Sequence, residues 1–193
     1  METSEPTGAN GHYKGWLKVM TWNVNGLRTR MPELKTLLEA QKPEVVAYQE
    51  SMMEEVPYSL RGYKHIGLQG ERTGEQGDNR WEGGIGMFVK AYLQAKVLPS
   101  SLGNRVLWVR LKGKKRAAVV IGVVYGPAKK QEKNVFWTQM ELELKEVIQT
   151  DKVILMEDFN ICLESQRSSL MWQALLVMEA QAKETHMATW DSG

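Results

Sequence analysis

The sequence predicts an α/β fold, and three observations carry that expectation. A strand, a helix and a second strand follow one another over residues 16 to 50, the order of a parallel βαβ unit. Short apolar strands separated by turn residues fill the middle of the chain. An amphipathic helix then leads into one more buried strand near residue 155.

The first strand, Trp16 to Val24, alternates. Leu17, Val19 and Thr21 fall on one face, and Lys18, Met20 and Trp22 on the other. Asn25-Gly26 breaks it. Pro32 to Gln41 reads as a helix, with proline at its start and Leu34, Leu37 and Leu38 at helical spacing. Pro43 ends it. Val45 to Gln49 is the apolar run expected of a strand buried on both faces. Gly62 to Leu68 reads as a strand, and Gln69 to Glu82 as a polar, glycine-rich exposed loop. Gly84 to Val89, Ala95 to Leu98 and Arg105 to Leu111 follow as strands. Lys112-Gly113-Lys114-Lys115 is then a hairpin turn into Ala117 to Tyr125.

Glu132 to Thr150 is a helix whose apolar side holds Val135, Phe136, Met140, Leu142, Leu144, Val147 and Ile148. Lys152 to Met156 is a buried strand, and Ser168 to Lys183 has the spacing of a last helix. Residues 1 to 15 form a polar, disordered lead-in without the apolar centre of a secretory signal. Residues 16 to 193 make one domain.

The bulk numbers bound the function classes. A chain of 193 residues with 42% hydrophobic and 25% charged residues builds one sizeable core. A net charge of +2 is too small to announce nucleic-acid binding, so function must be read from a site. The single cysteine, Cys162, excludes an internal disulfide framework, fits a reducing compartment and reads as a small buried apolar residue. No apolar run approaches the ~20 residues of a membrane span.

Polar residues at the ends of apolar strands are the main chemical signal. Ligands of α/β sheets bind outside the carboxyl ends of strands. Three strands end Thr21-Trp22-Asn23, Tyr48-Gln49-Glu50 and Glu157-Asp158-Phe159-Asn160, and a fourth ends Val124-Tyr125-Gly126-Pro127. Brought together they form an oxygen-rich cluster suited to a hard divalent cation such as Mg²⁺. The amides of Asn23 and Asn160 add hydrogen-bond donors for an anionic substrate without adding negative charge.

These segments resemble the motifs of the endonuclease/exonuclease/phosphatase superfamily, which includes exonuclease-III-type abasic-site endonucleases and the endonuclease domains of non-LTR retrotransposons. Thr21-Trp22-Asn23-Val24-Asn25-Gly26-Leu27-Arg28 is similar to its opening motif and Ala47-Tyr48-Gln49-Glu50 to its glutamine–glutamate motif. Gly83-Gly84-Ile85-Gly86-Met87-Phe88-Val89 resembles its glycine-rich strand. Val123-Val124-Tyr125-Gly126-Pro127 resembles its tyrosine motif, and Val153 to Asn160 the strand that ends Gly-Asp-Phe-Asn.

The resemblance implies a four-layer α/β sandwich, two mixed β-sheets flanked by helices, incomplete at its C-terminal end. It implies that Glu50 binds Mg²⁺, or Mn²⁺ in its place, helped by Asn23. It implies that Asp158 orients or activates the attacking water, that Asn160 and Asn23 hold the scissile phosphate, and that Tyr125 donates to a phosphate oxygen. The resemblance implies DNA, or RNA, as the substrate class, and that substrate in turn implies a nuclear location. Arg28, Lys129 and Lys130 follow site strands and are candidate phosphate contacts, as are the hairpin residues Lys112, Lys114, Lys115 and Arg116. Trp81, in the Asn79-Arg80-Trp81-Glu82 loop, is the tryptophan placed to touch a nucleic acid.

Two positions depart from the family pattern. Glu157 stands where the family has glycine, and the Ser-Asp-His motif has no counterpart up to Gly193. Thr189-Trp190 resembles the segment that precedes it. His12, His65 and His186 lie outside such a context and read as surface or packing residues. These departures motivate a second reading, a catalytically inactive retroelement remnant that binds DNA or a partner. A third is a small-molecule phosphatase acting on inositol-phosphate-like substrates. The Asn-Gly-Leu-Arg opening and Asp-Phe-Asn favour the endonuclease branch over it.

Overall fold

The computed structural model describes residues 17–73, 80–112 and 118–158. The lead-in with His12, the turn after Lys112 with Lys114, Lys115 and Arg116, Cys162, the helix expected at Ser168 to Lys183, His186 and Thr189-Trp190 lie outside these residues.

Strand β1 (Val19–Asn23), helix α1 (Leu27–Gln41) and strand β2 (Val45–Gln49) form the βαβ unit, and β1 and β2 pair in parallel with Asn23 opposite Gln49. Strand β3 (Tyr63–Leu68) and strand β6 (Ile85–Lys90) complete the first sheet, in the order β1-β2-β6-β3. Between them lies a short ribbon of β4 (Glu71–Arg72) and β5 (Trp81–Glu82). The stretch expected to be an irregular loop thus has a paired stem. Strands β7 (Gln94–Leu98), β8 (Val106–Lys112), β9 (Val119–Tyr125) and β10 (Lys152–Asp158) make the second sheet. Its order is β10-β9-β8-β7, with β10 parallel to β9 after the long helix α2 (Lys130–Ile148).

Side-chain parity explains the stacking. Val45 and Ala47 point from β2 into the space between the sheets, where Met87, Val109, Ile121, Val123 and Met156 meet them. Val46 and Tyr48, of opposite parity, face Leu27, Met31, Leu34 and Leu38 of α1. On the far side, Val106, Trp108, Val120 and Val124 receive Phe136, Met140 and Leu144 of α2. Helix, sheet, sheet and helix are therefore the four layers of an α/β sandwich. No helix among the described residues is long and apolar enough to cross a membrane.

Two helix expectations are corrected. Helix α1 begins at Leu27, so Pro32 lies inside it rather than at its start. The residues that decide are Leu27 and Met31, which continue the spacing of Leu34 and Leu38 one turn earlier and are buried, whereas Leu37 is exposed. On α2 the buried stripe is Phe136, Met140 and Leu144. Val135, Leu142 and Ile148, expected on the apolar side, face outward, Val135 at 74% exposure.

Two interactions fix the layers locally. The indole Nε1 of buried Trp108 donates to Glu143 Oε2 at 2.9 Å, and Ser100 and Ser101 donate to the same carboxylate. Burial alone would raise that carboxyl, but the bonds from Trp108, Ser101 and Ser100 outweigh it and hold Glu143 below the usual carboxylate range. Across the first sheet, the Tyr48 hydroxyl lies 2.6 Å from His65 Nε2, crossing Gly86 and Gly67, whose missing side chains leave it room. The two rings stack 8° from parallel, and Phe88 packs against both. Burial raises the Tyr48 phenol and lowers the His65 imidazole, so tyrosine donates to a neutral histidine.

The folded His65 titrates below its ordinary value of 6.5, so its contribution is present above that value and lost as the pH falls through the folded one. The denaturation midpoint is expected to drop between pH 7 and pH 5, and His65→Gln, which still accepts the tyrosine proton, should flatten the slope. An unchanged slope in that variant assigns the titration elsewhere. A Cβ at Gly122 would lie 2.3 Å from Trp108 Cζ3, and that indole is anchored. Gly122→Ala should therefore cost about 1–3 kcal/mol in chemical denaturation. A neutral result would mean that Trp108 has room to shift.

Candidate functional site

The carboxyl ends of four strands meet at one edge of the sandwich. Within the first sheet the parallel register sets Asn23 beside Gln49, with Glu50 next in the chain. Within the second it sets Tyr125 beside Asp158. Across the sheets, β2 packs against β9 and β10, and β1 against β10. The Gln49 Nε2 donates to the Met156 carbonyl at 3.3 Å, linking the two sheets two residues before Asp158. On the other side, the space above Gly83 is closed by the Tyr125 ring, 3.5 Å from where a Cβ would stand.

The two loops that leave β1 and β2 are laced together by backbone. Val24 N–H donates to the Gln49 carbonyl at 3.0 Å, Gly26 N–H to Glu50 at 2.8 Å and Leu27 N–H to Ser51 at 3.1 Å. The N-cap Gly26 N–H and the first helical N–H, of Leu27, are thus satisfied by the loop after β2, and no side chain caps the helix. Beyond Glu50, Ser51 and Met52 donate to the carbonyls of Gly84 and Gly83 at 3.0 and 2.9 Å. Gly84 has φ +80, and a Cβ there would fall 2.2 Å from the Ser51 Oγ, so only glycine fits. Among the described residues the buried Ser51 hydroxyl has no hydrogen-bond partner. Glu50 itself has φ +56, in the left-handed region.

Asn23 is exposed at the end of β1, and its Oδ1 accepts the Asn25 N–H at 3.1 Å. Glu50 is half-buried beside it, and Tyr125 half-buried at the end of β9. Asp158 ends β10, and the strand runs through Glu157 in unbroken register, with Glu157 opposite Val124. A glutamate at the family's glycine position is therefore compatible with regular strand backbone. Asn160 lies outside the described residues. Arg28 is exposed in the first turn of α1. Lys129 and Lys130 are exposed at the start of α2, where Lys129 Nζ is 3.6 Å from Glu132. Trp81 is half-buried in β5, and Thr73 N–H closes that ribbon on the Arg80 carbonyl at 3.0 Å.

Among the described residues no group of three or more His, Cys, Asp or Glu converges. Asn23 and Glu50, at neighbouring strand ends, bring one amide oxygen and one carboxylate to this edge. That donor set fits Mg²⁺, which keeps most of its waters and takes one or two carboxylates from protein. It differs from the closed cysteine and histidine sets of structural zinc sites.

Sequence reading had set Gln49 in a motif without giving it work. Its signal was present, since the inward parity of Val45 and Ala47 predicts an apolar residue at position 49 and an amide stands there.

The family described as "Endonuclease/Exonuclease/phosphatase family" matches residues 20–192. No curated protein matches by sequence. The fold is similar to that of the 3′ phosphatase NExo from Neisseria, solved with a product DNA hairpin, at TM-score 0.59 and 19% identity over 76% of this chain and 58% of that one. It is similar to an AP endonuclease from Archaeoglobus fulgidus at TM-score 0.54 and 20% identity, over 76% of this chain and 58% of that one. The human Nocturnin catalytic domain, solved with a sulfate anion, gives TM-score 0.58 and 14% identity over 75% of this chain and 65% of that one.

The backbone at Glu50 is itself testable. An L-residue held at positive φ stores about 1–2 kcal/mol. Glu50→Gly should therefore be more stable than Glu50→Ala by about 1 kcal/mol in denaturant titrations. Equal stabilities would mean that the loop relaxes without its side chain.

Proposed function

This chain belongs to the endonuclease/exonuclease/phosphatase family, and from that premise we propose that it is a Mg²⁺-dependent phosphodiesterase that cuts nucleic-acid backbones, of the retroelement or abasic-site endonuclease type. The observation that supports the reading is the meeting of four strand ends at one edge, two from each sheet, joined through Gln49 and Met156.

In this reading the Glu50 carboxylate and the Asn23 amide oxygen hold the cation, with Mn²⁺ as a substitute. A bound Mg²⁺ supplies Lewis-acid polarisation of the phosphoryl oxygen and neutralises charge on the leaving alkoxide. The Asp158 carboxylate orients the attacking water and takes its proton. The amide N–H groups of Asn23 and Asn160 hold the scissile phosphate. The Tyr125 hydroxyl donates to a phosphate oxygen as charge builds in the pentavalent state. Arg28, Lys129 and Lys130 contact phosphates without reading sequence. Trp81 offers an aromatic face to a base. Nuclear location follows from that substrate.

The test is nicking of supercoiled plasmid with Mg²⁺. Cutting should stop with chelator and fall by about 10²–10⁴-fold in Asp158→Asn. A folded protein that binds DNA without cutting it would overturn the enzyme reading in favour of the binding remnant. Release of phosphate from inositol phosphates, with plasmid left intact, would move the substrate to the phosphatase class.

A further inference from the structure

Glu50 belongs to the first sheet, whereas Tyr125 and Asp158 belong to the second. The geometry between them therefore depends on how the sheets sit on one another. Most of that interface is aliphatic, built from Val45, Ala47, Met87, Val109, Ile121 and Val123. Apolar contact is strong but non-directional, so it sets the spacing of two sheets better than their register. A hydrogen bond is directional and resists sliding.

Gln49 supplies that direction. It is 1% exposed, at the end of β2, in a position where strand parity points inward. Burying an amide is costly unless its hydrogen bonds are made. Here they are made on two sides. Nε2 donates to the Thr21 Oγ1 at 3.1 Å on β1 and to the Met156 carbonyl at 3.3 Å on β10. A carbonyl accepts only from the NH₂ end, so the amide has one allowed orientation. One neighbour of Gln49 in the chain is Glu50, and its bond across the sandwich lands two residues from Asp158. A single side chain thus couples the two halves of the proposed site through short stretches of strand.

We propose that Gln49 is a positioning residue, which sets the register of the first sheet against β10 and thereby the alignment of Glu50 with Asp158. It touches neither metal nor substrate. The inference rests on the function proposed above for its catalytic readout, and a second readout stands without it.

Gln49→Met keeps the length and removes the side-chain hydrogen bonding to Thr21 and to the Met156 carbonyl. Gln49→Glu, ionised, keeps an acceptor and loses the donor to the Met156 carbonyl. With both variants folded, kcat for plasmid nicking should fall by about 10–100-fold, because misplacement of reacting groups by ~1 Å has that scale. The KM for plasmid and the Mn²⁺ affinity read by electron paramagnetic resonance should stay within about twofold. A kcat within about twofold of native in Gln49→Met would overturn the proposal, as would a parallel loss of kcat, Mn²⁺ binding and folded fraction.

The second readout does not need activity. Spin labels at Lys35→Cys and Glu146→Cys, in a Cys162→Ser background, sit on exposed positions of the two outer helices. Their distance distribution should be narrow with Gln49 present and broadened or shifted in Gln49→Met. Superimposable distributions would overturn the positioning role. A native protein that shows the narrow distribution but never nicks would sink the nuclease reading alone.

Discussion

A strand buried on both faces must satisfy two packing surfaces at once, and β2 is where this fold meets that demand. Every residue from Val45 to Gln49 is buried. Even parity serves α1 through Val46 and Tyr48, and odd parity serves the opposite sheet through Val45 and Ala47. A slip of one residue would exchange the two sets and drive the Tyr48 ring into the aliphatic interface. The parallel pairing with β1, the antiparallel pairing with β6 and the seating of α1 all refer to this one register. Because the strand ends in Gln49 and Glu50, the same register that builds the core also places the polar edge.

The edge then inherits its order from the layers. The sandwich brings two parallel pairs, β1 with β2 and β9 with β10, so that their carboxyl ends face one region. Each pair arises from a strand–helix–strand unit, with α1 and α2 as the crossovers. The site is thus a consequence of topology as well as of motif. In the proposed function, Asn23 and Tyr125 would supply amide and phenol donors where further carboxylates would repel phosphate.

Much of this was legible in the sequence because period and punctuation agree. The alternation of Leu17, Val19 and Thr21 against Met20 and Trp22 matches the two faces of β1. The apolar run at Val45 marked the central strand. What failed did so for physical reasons. Pro32 by itself favours a helix start, but burial of Leu27 and Met31 outweighs the cost of one proline in the second turn. The seven apolar residues of α2 outnumber the narrow stripe that a single sheet face can cover, so Val135 and Leu142 are left outside. The ribbon Glu71–Arg72 with Trp81–Glu82 has no apolar period at all. It forms because Gly70 and Gly83 are already tied to Met53 and Met52 by backbone bonds. Strand-end residues were readable as candidates, but the link from Gln49 to Met156 joins positions 107 apart, and no local pattern reports such a contact.

Backbone strain gathers at this edge. Four described residues other than glycine have positive φ. One, Lys42, is explained by its place after the last turn of α1, where a left-handed residue closes the helix with its N–H on the Leu38 carbonyl. The other three are Asn25, Glu50 and Met52, at φ 42, 56 and 52. They lie in the two loops that leave β1 and β2. Asparagine tolerates that region, but glutamate and methionine gain nothing local from it. Strain of this kind persists only where surrounding bonds over-determine the backbone. Those bonds are present, with Gly26 and Leu27 donating to the Glu50 and Ser51 carbonyls, and Ser51 and Met52 donating to Gly84 and Gly83. The lacing holds the Glu50 backbone at the strand end in a conformation that a free loop would not choose. In the proposed function, where few protein ligands would hold the cation, a fixed backbone at Glu50 would help aim them.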